Sequence, residues 1–284
     1  MISLITTFDP QRLPLLPWFV GHYRACGVEA FYINLHFDSG YGADERAHFE
    51  QRANVILGAL DLRLHSTFSC PYDSRDNRRR QDEIQSEIAA SSPWIVWADS
   101  DEFHEFPDDL AALAAHMDRH SIDYIAGRFV DRMARDGFPA MREQLSPWRQ
   151  FPLGTDVTQS VLGAWVNKIV FTRAQASLGP GNHTIRSAVA PRRLSGVYPV
   201  HHFKWDATVV ARLGRRLEED WRQRCPWWPE SRRALEWIES GGKLAGLACY
   251  DFEDDLHPGE GGPLSGNMRY TRNQVRASAR AAGG

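Results

Sequence analysis

The sequence predicts an α/β fold: a mostly parallel sheet flanked by helices on both faces, followed by a small helical appendage. Two observations predict it. Over the first hundred residues, short runs of β-formers alternate with helix-period segments in the order β-α-β-α-β-α-β, which calls for a parallel sheet with helical crossovers. The acids Asp9, Asp38 and Asp99–Glu102 all fall just past the ends of these β runs. In open α/β sheets that edge is where ligands sit.

"ISLITTF" (Ile2–Phe8) is a buried first strand closed by Asp9-Pro10. Leu16–Gly27 is a helix with Phe19 and Tyr23 four apart and Gly27 at its C-cap. Glu29–Phe37 is the second strand, Asp44–Ala53 a helix, and "DLRLHS" (Asp61–Ser66) the third strand. Asp73–Ala90 is a helix, and Trp94–Ala98 the strand that runs into "DSDEF". Further on, Leu110, Leu113, Ala114 and Met117 give Asp108–His120 an apolar helical face. Asp123–Asp131 and Trp165–Thr172 are strands, separated by a Pro- and Gly-rich segment at 137–163 that is too long for a plain connection. Gly196–Trp205 is a last strand opening into a helix over Asp206–Arg224, with Val209, Leu213, Leu217 and Trp221 four apart. "CPWWPES" interrupts it; Trp227 and Trp228 there are expected to pack between the appended helices, an acceptor platform or a lipid-facing edge being the other readings. A short helix follows to about Glu239, and the last dozen residues are expected to be poorly ordered. This divides the chain into a sheet domain, 1–205, and C-terminal helices with a tail, 206–284.

Composition narrows the function. With 43% hydrophobic and 24% charged residues and a net charge of −3, the chain has no electrostatic footprint for nucleic acid. The start "MISLITTFDP" does not resemble a signal peptide, and no stretch has the apolar length of a membrane span, though peripheral membrane contact stays open. Cys26, Cys70, Cys225 and Cys249 lack metal or redox spacing and read as reduced thiols of a cytoplasmic protein.

The acidic strand end is the chemical signal. Asp99 and Asp101 two residues apart on extended backbone point to one side, where they can share a divalent ion or hold one ion and one hydroxyl. Carboxylates select hard cations, Mn²⁺ or Mg²⁺, which keep positions open for substrate phosphates. A turn with solvated acids is the alternative for D-x-D alone. Within Asp73–Ala90, Asn77, Gln81, Ile84 and Ile88 share a face with Arg80 on its flank; the isoleucines should meet the sheet and direct Asn77, Arg80 and Gln81 toward a base, ribose or diphosphate. Arg78 and Arg79 are expected on the solvated side. His183, His201 and His202 are candidate imidazoles, and since neighbours on a strand point to opposite faces, only one of His201 and His202 should reach an ion held by the acids. Lys204 could meet a leaving phosphate.

Together, "LITTF", "WFVGHYRACGVEAFYI", "WIVWADSDEF", "RFVDRMARDG", "NKIVF", "GNHTI" and "HHFKW" resemble, in order, the metal-dependent GT-A glycosyltransferases, close to a family 2 and family 92-like bacterial group. The resemblance spans about residues 2–205. It implies a GT-A-like (Rossmann-like) sheet, a nucleotide-diphosphate sugar donor with uridine as its base, and transfer with inversion to a glycan, lipid-linked or small-molecule hydroxyl. It also implies that Thr6, Thr7 and Asp38 line the base pocket, that Asp99 approaches the ribose and Asp101 binds the metal. His202 would be a late metal ligand or phosphate contact, and His183, with Glu102, would lie near acceptor or metal. The extra His201 and the lack of a clear Glu-Asp base motif depart from that pattern. For the base, Asp131 comes first, because its strand should deliver it to the rim, and Asp156 in the long segment second. Two other classes stay open: a metal-dependent nucleotidyltransferase or phosphohydrolase, and a non-catalytic sugar-nucleotide-binding domain. A haloacid-dehalogenase-type phosphatase fits poorly, because its D-x-D belongs on the first strand.

Overall fold

The structure is a computed structural model and describes residues 1–186, 190–242, 244, 247 and 249–251. β1 (Ile2–Phe8) is buried at all positions but Thr7, as a central strand covered on both faces must be. Asp9 then accepts from the Gln11 N–H (2.7 Å) and caps a 3-10 turn, Pro10–Leu15, that leads into α1 (Leu16–Ala25). Gly27 follows with φ 101°, the left-handed backbone that glycine adopts most readily after a helix. β2 (Ala30–Phe37), α2 (Ala43–Gly58), β3 (Ser66–Ser69), α3 (Ser74–Ile88) and β4 (Trp94–Trp97) complete three helical crossovers. Their strands stand side by side as β3-β2-β1-β4, all parallel.

The third strand lies later than its β-like pattern suggests. Asp61 (φ 55°) closes α2, Leu62 and Leu64 pack on the core ahead of the ladder, and the register with β2 starts at Ser66 opposite Asn34, next to the His65 N–H donating to the Ile33 carbonyl (2.8 Å). The larger correction concerns the sheet, which is mixed and not mostly parallel. After β4 come β5 (Glu102–His104), α4 (Leu110–Arg119), β6 (Tyr124–Met133), α5 (Pro147–Gln150), β7 (Leu153–Thr155), α6 (Val157–Ser160) and β8 (Asn167–Arg173). β8 inserts antiparallel between β4 and β6, and β7 pairs antiparallel with β6. A two-stranded hairpin, β9 (Ser177–Leu178) with β10 (Ile185–Arg186), stands apart. β11 (Tyr198–His202) runs parallel to β6 and antiparallel to β5, curling the sheet beyond its main row. The Pro- and Gly-rich segment 137–163 is thus ordered by α5, β7 and α6 and anchored by Trp148 and Phe151, 2% and 0% exposed.

The expected helix over Asp206–Arg224 is two helices, α7 (Val209–Arg215) and α8 (Glu219–Arg224), followed by α9 (Trp228–Glu239) and a short β12 (Cys249–Asp251) on β7. Val209 and Leu213 pack with Trp205, Ala234, Met133 and Val157, fastening the appended helices to the far end of β6 and to α6. Leu217 and Trp221 do not continue that stripe, because the chain breaks and turns after Arg215. The main core lies on the other side: Phe103 meets Phe19, Trp148 and Phe203 at ring distances of 5.8, 4.9 and 5.2 Å. All four cysteines are free thiols, and no helix among the described residues is long and apolar enough to cross a membrane. The expected poorly ordered tail lies outside the described residues.

Gly127 lets β6 carry a strand on each edge. A Cβ there would collide with the Val200 side chain and come within 2.9 Å of Val170 Cγ1 and 3.2 Å of the Tyr198 carbonyl oxygen. Gly127→Ala should therefore lower unfolding free energy in urea by about 1–3 kcal/mol through overpacking. An unchanged midpoint would show that β11 has slack against β6.

Candidate functional site

β1, β2, β4, β6 and β11 all run toward one edge of the sheet, and β8 starts from it. Register does the rest. Glu102 pairs with His202 across β5 and β11, and His202 pairs with Asp131 across β11 and β6. The turn between β4 and β5 is clamped on this frame by the Phe203 N–H donating to the Asp101 carbonyl (2.8 Å). Residues about thirty and a hundred positions from the acids thereby meet them at one rim.

Beneath the rim, Lys168 from the start of β8 donates to Asp99 Oδ2 at 2.8 Å and lies 2.9 Å from Glu102 Oε1. Lys168 and Glu102 are both 1% exposed, so this is a buried ion pair, whereas 43% of the Asp99 side chain is open to solvent. Burial, then the neighbouring carboxylate charge, pushes Glu102 upward against the Lys168 charge. Lys168 is itself held above its ordinary value: burial opposes the charge, but the two carboxylates outweigh it. Glu102 thus secures the turn from below and offers nothing to an acceptor.

Asp101 stands above this pair. His202 Nε2 faces its Oδ1 at 3.7 Å, and Arg12 Nη2 lies 3.4 Å from its Oδ2. Arg12 is 4% exposed and donates its Nη1 to Asp206 (2.6 Å) and to the Phe203 carbonyl (3.3 Å). Burial would raise the Asp101 carboxyl, yet the facing His202, Arg12, Arg212 and Lys204 hold it well below the usual carboxylate range. Burial, then Lys204, keep His202 far below its ordinary value, so its ring is neutral at neutral pH. Phe129 stacks on that ring at 4.4 Å and 23°, fixing its plane. His201 points the other way, to Glu105 (2.6 Å), so of the two adjacent imidazoles His202 faces the acids.

Asp131 is fully buried. It accepts from the Thr158 N–H (2.6 Å), the Thr158 hydroxyl (2.7 Å) and Trp205 Nε1 (3.0 Å), with Lys204 Nζ at 3.6 Å. Three donors and the nearby ammonium hold this carboxylate in one orientation, which suits a positioning group. Asp156 accepts from the Ser160 hydroxyl at the start of α6 and is likewise turned into local structure. Lys204 donates to Thr158 Oγ1 (2.8 Å).

Toward β1 and β2 the rim is neutral and polar. Thr7 donates to Asn77 Oδ1 (2.9 Å), and Asp38 accepts from the Tyr72 N–H (2.9 Å). Thr6 and Gln81 are buried, Thr6 without a hydrogen-bond partner for its hydroxyl. Tyr72 stacks on Trp221 of α8 at 5.2 Å, so the appended helices roof this end. α3 departs from expectation at two arginines. Arg78 is buried, its guanidinium over the Trp97 ring (4.3 Å) and bonded to Asn182 (3.0 Å) and Asp82 (2.7 Å), because the face Ser74-Arg78-Gln81-Gln85 is the one against the sheet. Arg80 turns instead to Asp76 (3.0 Å) and the Phe68 ring (4.2 Å). Arg79 is exposed, as expected. On the far side, His183 binds the Asn167 carbonyl (2.7 Å) through Nδ1, and burial, then Lys168, lower it to about 4. Trp227 lies against Gly181, while Trp228 is flanked by Arg222 and Arg232.

Asp101 and His202 could both ligate one divalent cation: an ionised carboxylate and a neutral imidazole across a gap too wide for a hydrogen bond. Among the described residues no three His, Cys, Asp or Glu side chains converge on a metal position, so such an ion would take its remaining ligands from substrate oxygens and water. The structure adds Arg12, Lys168, Asp206 and Arg212 to the site. Lys168 had a signal, a lone cation within the β-forming run "NKIVF"; Arg12 and Arg212 had none. No known family model matches the chain, and no curated protein sequence is significantly similar to it.

Two further imidazoles lie behind the turn. His22 contacts the His104 carbonyl (2.8 Å), and His104 sits 3.6 Å from Glu102 with no hydrogen-bond partner for its ring. Burial holds both at about 3, below the ordinary 6.5. The unfolded chain therefore binds protons that the folded chain does not, and stability that is complete above pH 6.5 falls as pH is lowered toward 3. Unfolding free energy measured in urea should drop from pH 7 to pH 5. His104→Leu should flatten the drop between pH 6 and 5 by about 1 kcal/mol. An equal slope in the variant would mean that His104 is protonated in the folded protein.

Proposed function

We propose that this chain is a metal-dependent glycosyltransferase of the GT-A kind, built on a mixed sheet. It moves a sugar from a nucleotide diphosphate, with uridine the base that the resemblance implies, to an acceptor hydroxyl. The observation that carries this reading is the Asp101 carboxylate facing the neutral His202 imidazole inside a ring of Arg12, Lys204 and Arg212. One carboxylate and one imidazole are a small ligand set, suited to Mn²⁺ or Mg²⁺ that is shared with substrate phosphates. The surrounding cations suit a dianionic leaving group.

Asp101 and His202 would hold the ion, whose contribution when bound is to compensate charge on the departing diphosphate. The rest falls to the chain's own groups. Lys204 and Arg12 stand where phosphate oxygens need cations, and both are already oriented, by Thr158 and Asp206 respectively. Such preorganised charge stabilises a developing anion without reorganisation during the reaction. Asp99, fixed by Lys168 but partly open, can accept hydrogen bonds from ribose hydroxyls. Thr7, Asn77 and Asp38 lie toward the Tyr72–Trp221 stack, on the side to which the resemblance assigns the base. Asp131 keeps Lys204 and Trp205 beside His202.

The test is thermal stabilisation by nucleotide diphosphates and their sugars, each with Mn²⁺ and with EDTA. A ligand at 100 times its Kd should stabilise by about 2.7 kcal/mol and raise the Tm by several degrees. The shift should need metal, vanish in Asp101→Asn and weaken in His202→Ala. A shift of equal size in EDTA, or none with any sugar nucleotide, would rule out the reading. Incorporation of the nucleotide in place of the sugar would indicate a nucleotidyltransferase.

A further inference from the structure

We propose that Trp165, with His183 and Phe129, forms a stacking subsite for a pyranose acceptor. This rests on the transferase reading above and names the class of molecule that receives the sugar. Trp165 is 68% exposed and is the only aromatic ring among the large apolar side chains exposed in the described residues. A single exposed apolar side chain needs no explanation by itself; its surroundings are what call for one.

The ring is held out on a fixed backbone. Gly163 and Ala164 donate to the carbonyls of Gln159 (3.1 Å) and Thr158 (3.0 Å), and the Val166 carbonyl accepts from Phe129 (2.9 Å). Both neighbours of Trp165 are therefore pinned, so a ligand would find the platform already formed, with little ordering left to oppose binding. From Trp165 a line of rings leads into the site. His183 is edge-on to Trp165 (6.1 Å, 80°), Phe129 is edge-on to His183 (6.2 Å, 85°), and Phe129 is stacked on His202. His183 is oriented by its bond to Asn167, and Gly181 (φ 71°) is pressed between the rings of His183 and Trp227. Polar groups border the line: Arg128, hydrogen-bonded to Gln159, pairs in register with Asn167.

A flat ring bordered by hydrogen-bonding side chains matches the two sides of a sugar. The C–H face of a pyranose rests on the aromatic face, and its hydroxyls meet the border. Position favours the acceptor over the donor base. The groups assigned to the nucleotide, Thr7, Asn77 and Asp38, lie on the β1–β2 side of Asp101, while Trp165 and His183 lie on the β6–β8 side. The Thr158 residue that clamps Asp131 and Lys204 also anchors Ala164, which ties the platform to the reacting centre.

The experiment measures binding of a panel of gluco-, galacto- and N-acetylglucosamine disaccharides to the full chain by ligand-observed NMR, with UDP and Mn²⁺ present. The same sugars are presented free and as glycolipid headgroups in phosphatidylcholine vesicles. At least one should bind the wild type. Trp165→Ala should lose at least about tenfold in affinity and Trp165→Phe should lose less, while the UDP-induced thermal shift stays within error of wild type. Binding in the vesicle arm alone would support the subsite and identify the acceptor as lipid-linked. Binding of no sugar by a wild type that does bind UDP would overturn the subsite and leave the transferase reading standing, as would binding insensitive to Trp165→Ala. A lost UDP shift in Trp165→Ala would assign the ring to the nucleotide instead. A wild type that binds neither UDP nor sugars would point to failure of the transferase reading itself.

Discussion

The ammonium of Lys168 holds this architecture together at its most crowded point. The turn between β4 and β5 brings Asp99, Asp101 and Glu102 into four consecutive positions on a sheet edge where water is scarce. Such a turn would repel itself open. Lys168 enters from the antiparallel β8, bonds Asp99 and pairs with Glu102, and so allows β5 to fold back against β11. A buried pair is not in itself a large stabiliser, because desolvation offsets much of the attraction. Its effect here is on placement: with Glu102 fixed, Asp101 has one orientation, facing His202 and Arg12.

Above that anchor the rim divides by charge. Arg12, Lys204 and Arg212 interleave with Asp101, Asp131 and Asp206, and together with the facing His202 these cations hold the Asp101 carboxyl low against burial. The imidazoles behave differently. His22, His104, His183 and His202 are all driven toward the neutral form, chiefly by burial. The rim thus sets the Asp101 carboxylate, the Arg12, Lys204 and Arg212 cations and the uncharged His202 ring side by side.

The alternating segments of the first hundred residues made the parallel half of the sheet legible, since each strand and each crossover helix there carries its own period. The acidic turn was legible too, because carboxylates directly after "WIVW" have no packing purpose. What the sequence hid is long-range. β5 is only three residues long, and its pairing with β11 joins positions about a hundred residues apart. The antiparallel insertion of β8 has no local mark, so the mixed sheet could not be read. Arg78 misled because a guanidinium over Trp97 buries as readily as an apolar side chain while reading as surface charge. The donors that hold Asp131 come from Thr158 and Trp205, in other elements altogether, and leave no local mark.

The position of β11 bears on how the chain comes to be folded. Its ladders to β5 and β6 close loops of about a hundred and of seventy residues, and β6 itself waits on β8. Pairings of such sequence separation form late, because the entropy of loop closure must be met before any contact rewards it. During synthesis the β1–β4 sheet can assemble with its acidic turn still uncompensated, since Lys168, His202 and Lys204 have yet to leave the ribosome. The groups that quiet that charge are the same ones that complete the site. A half-folded chain is then electrostatically frustrated, and the rim takes its charge-balanced form only when the last strands dock.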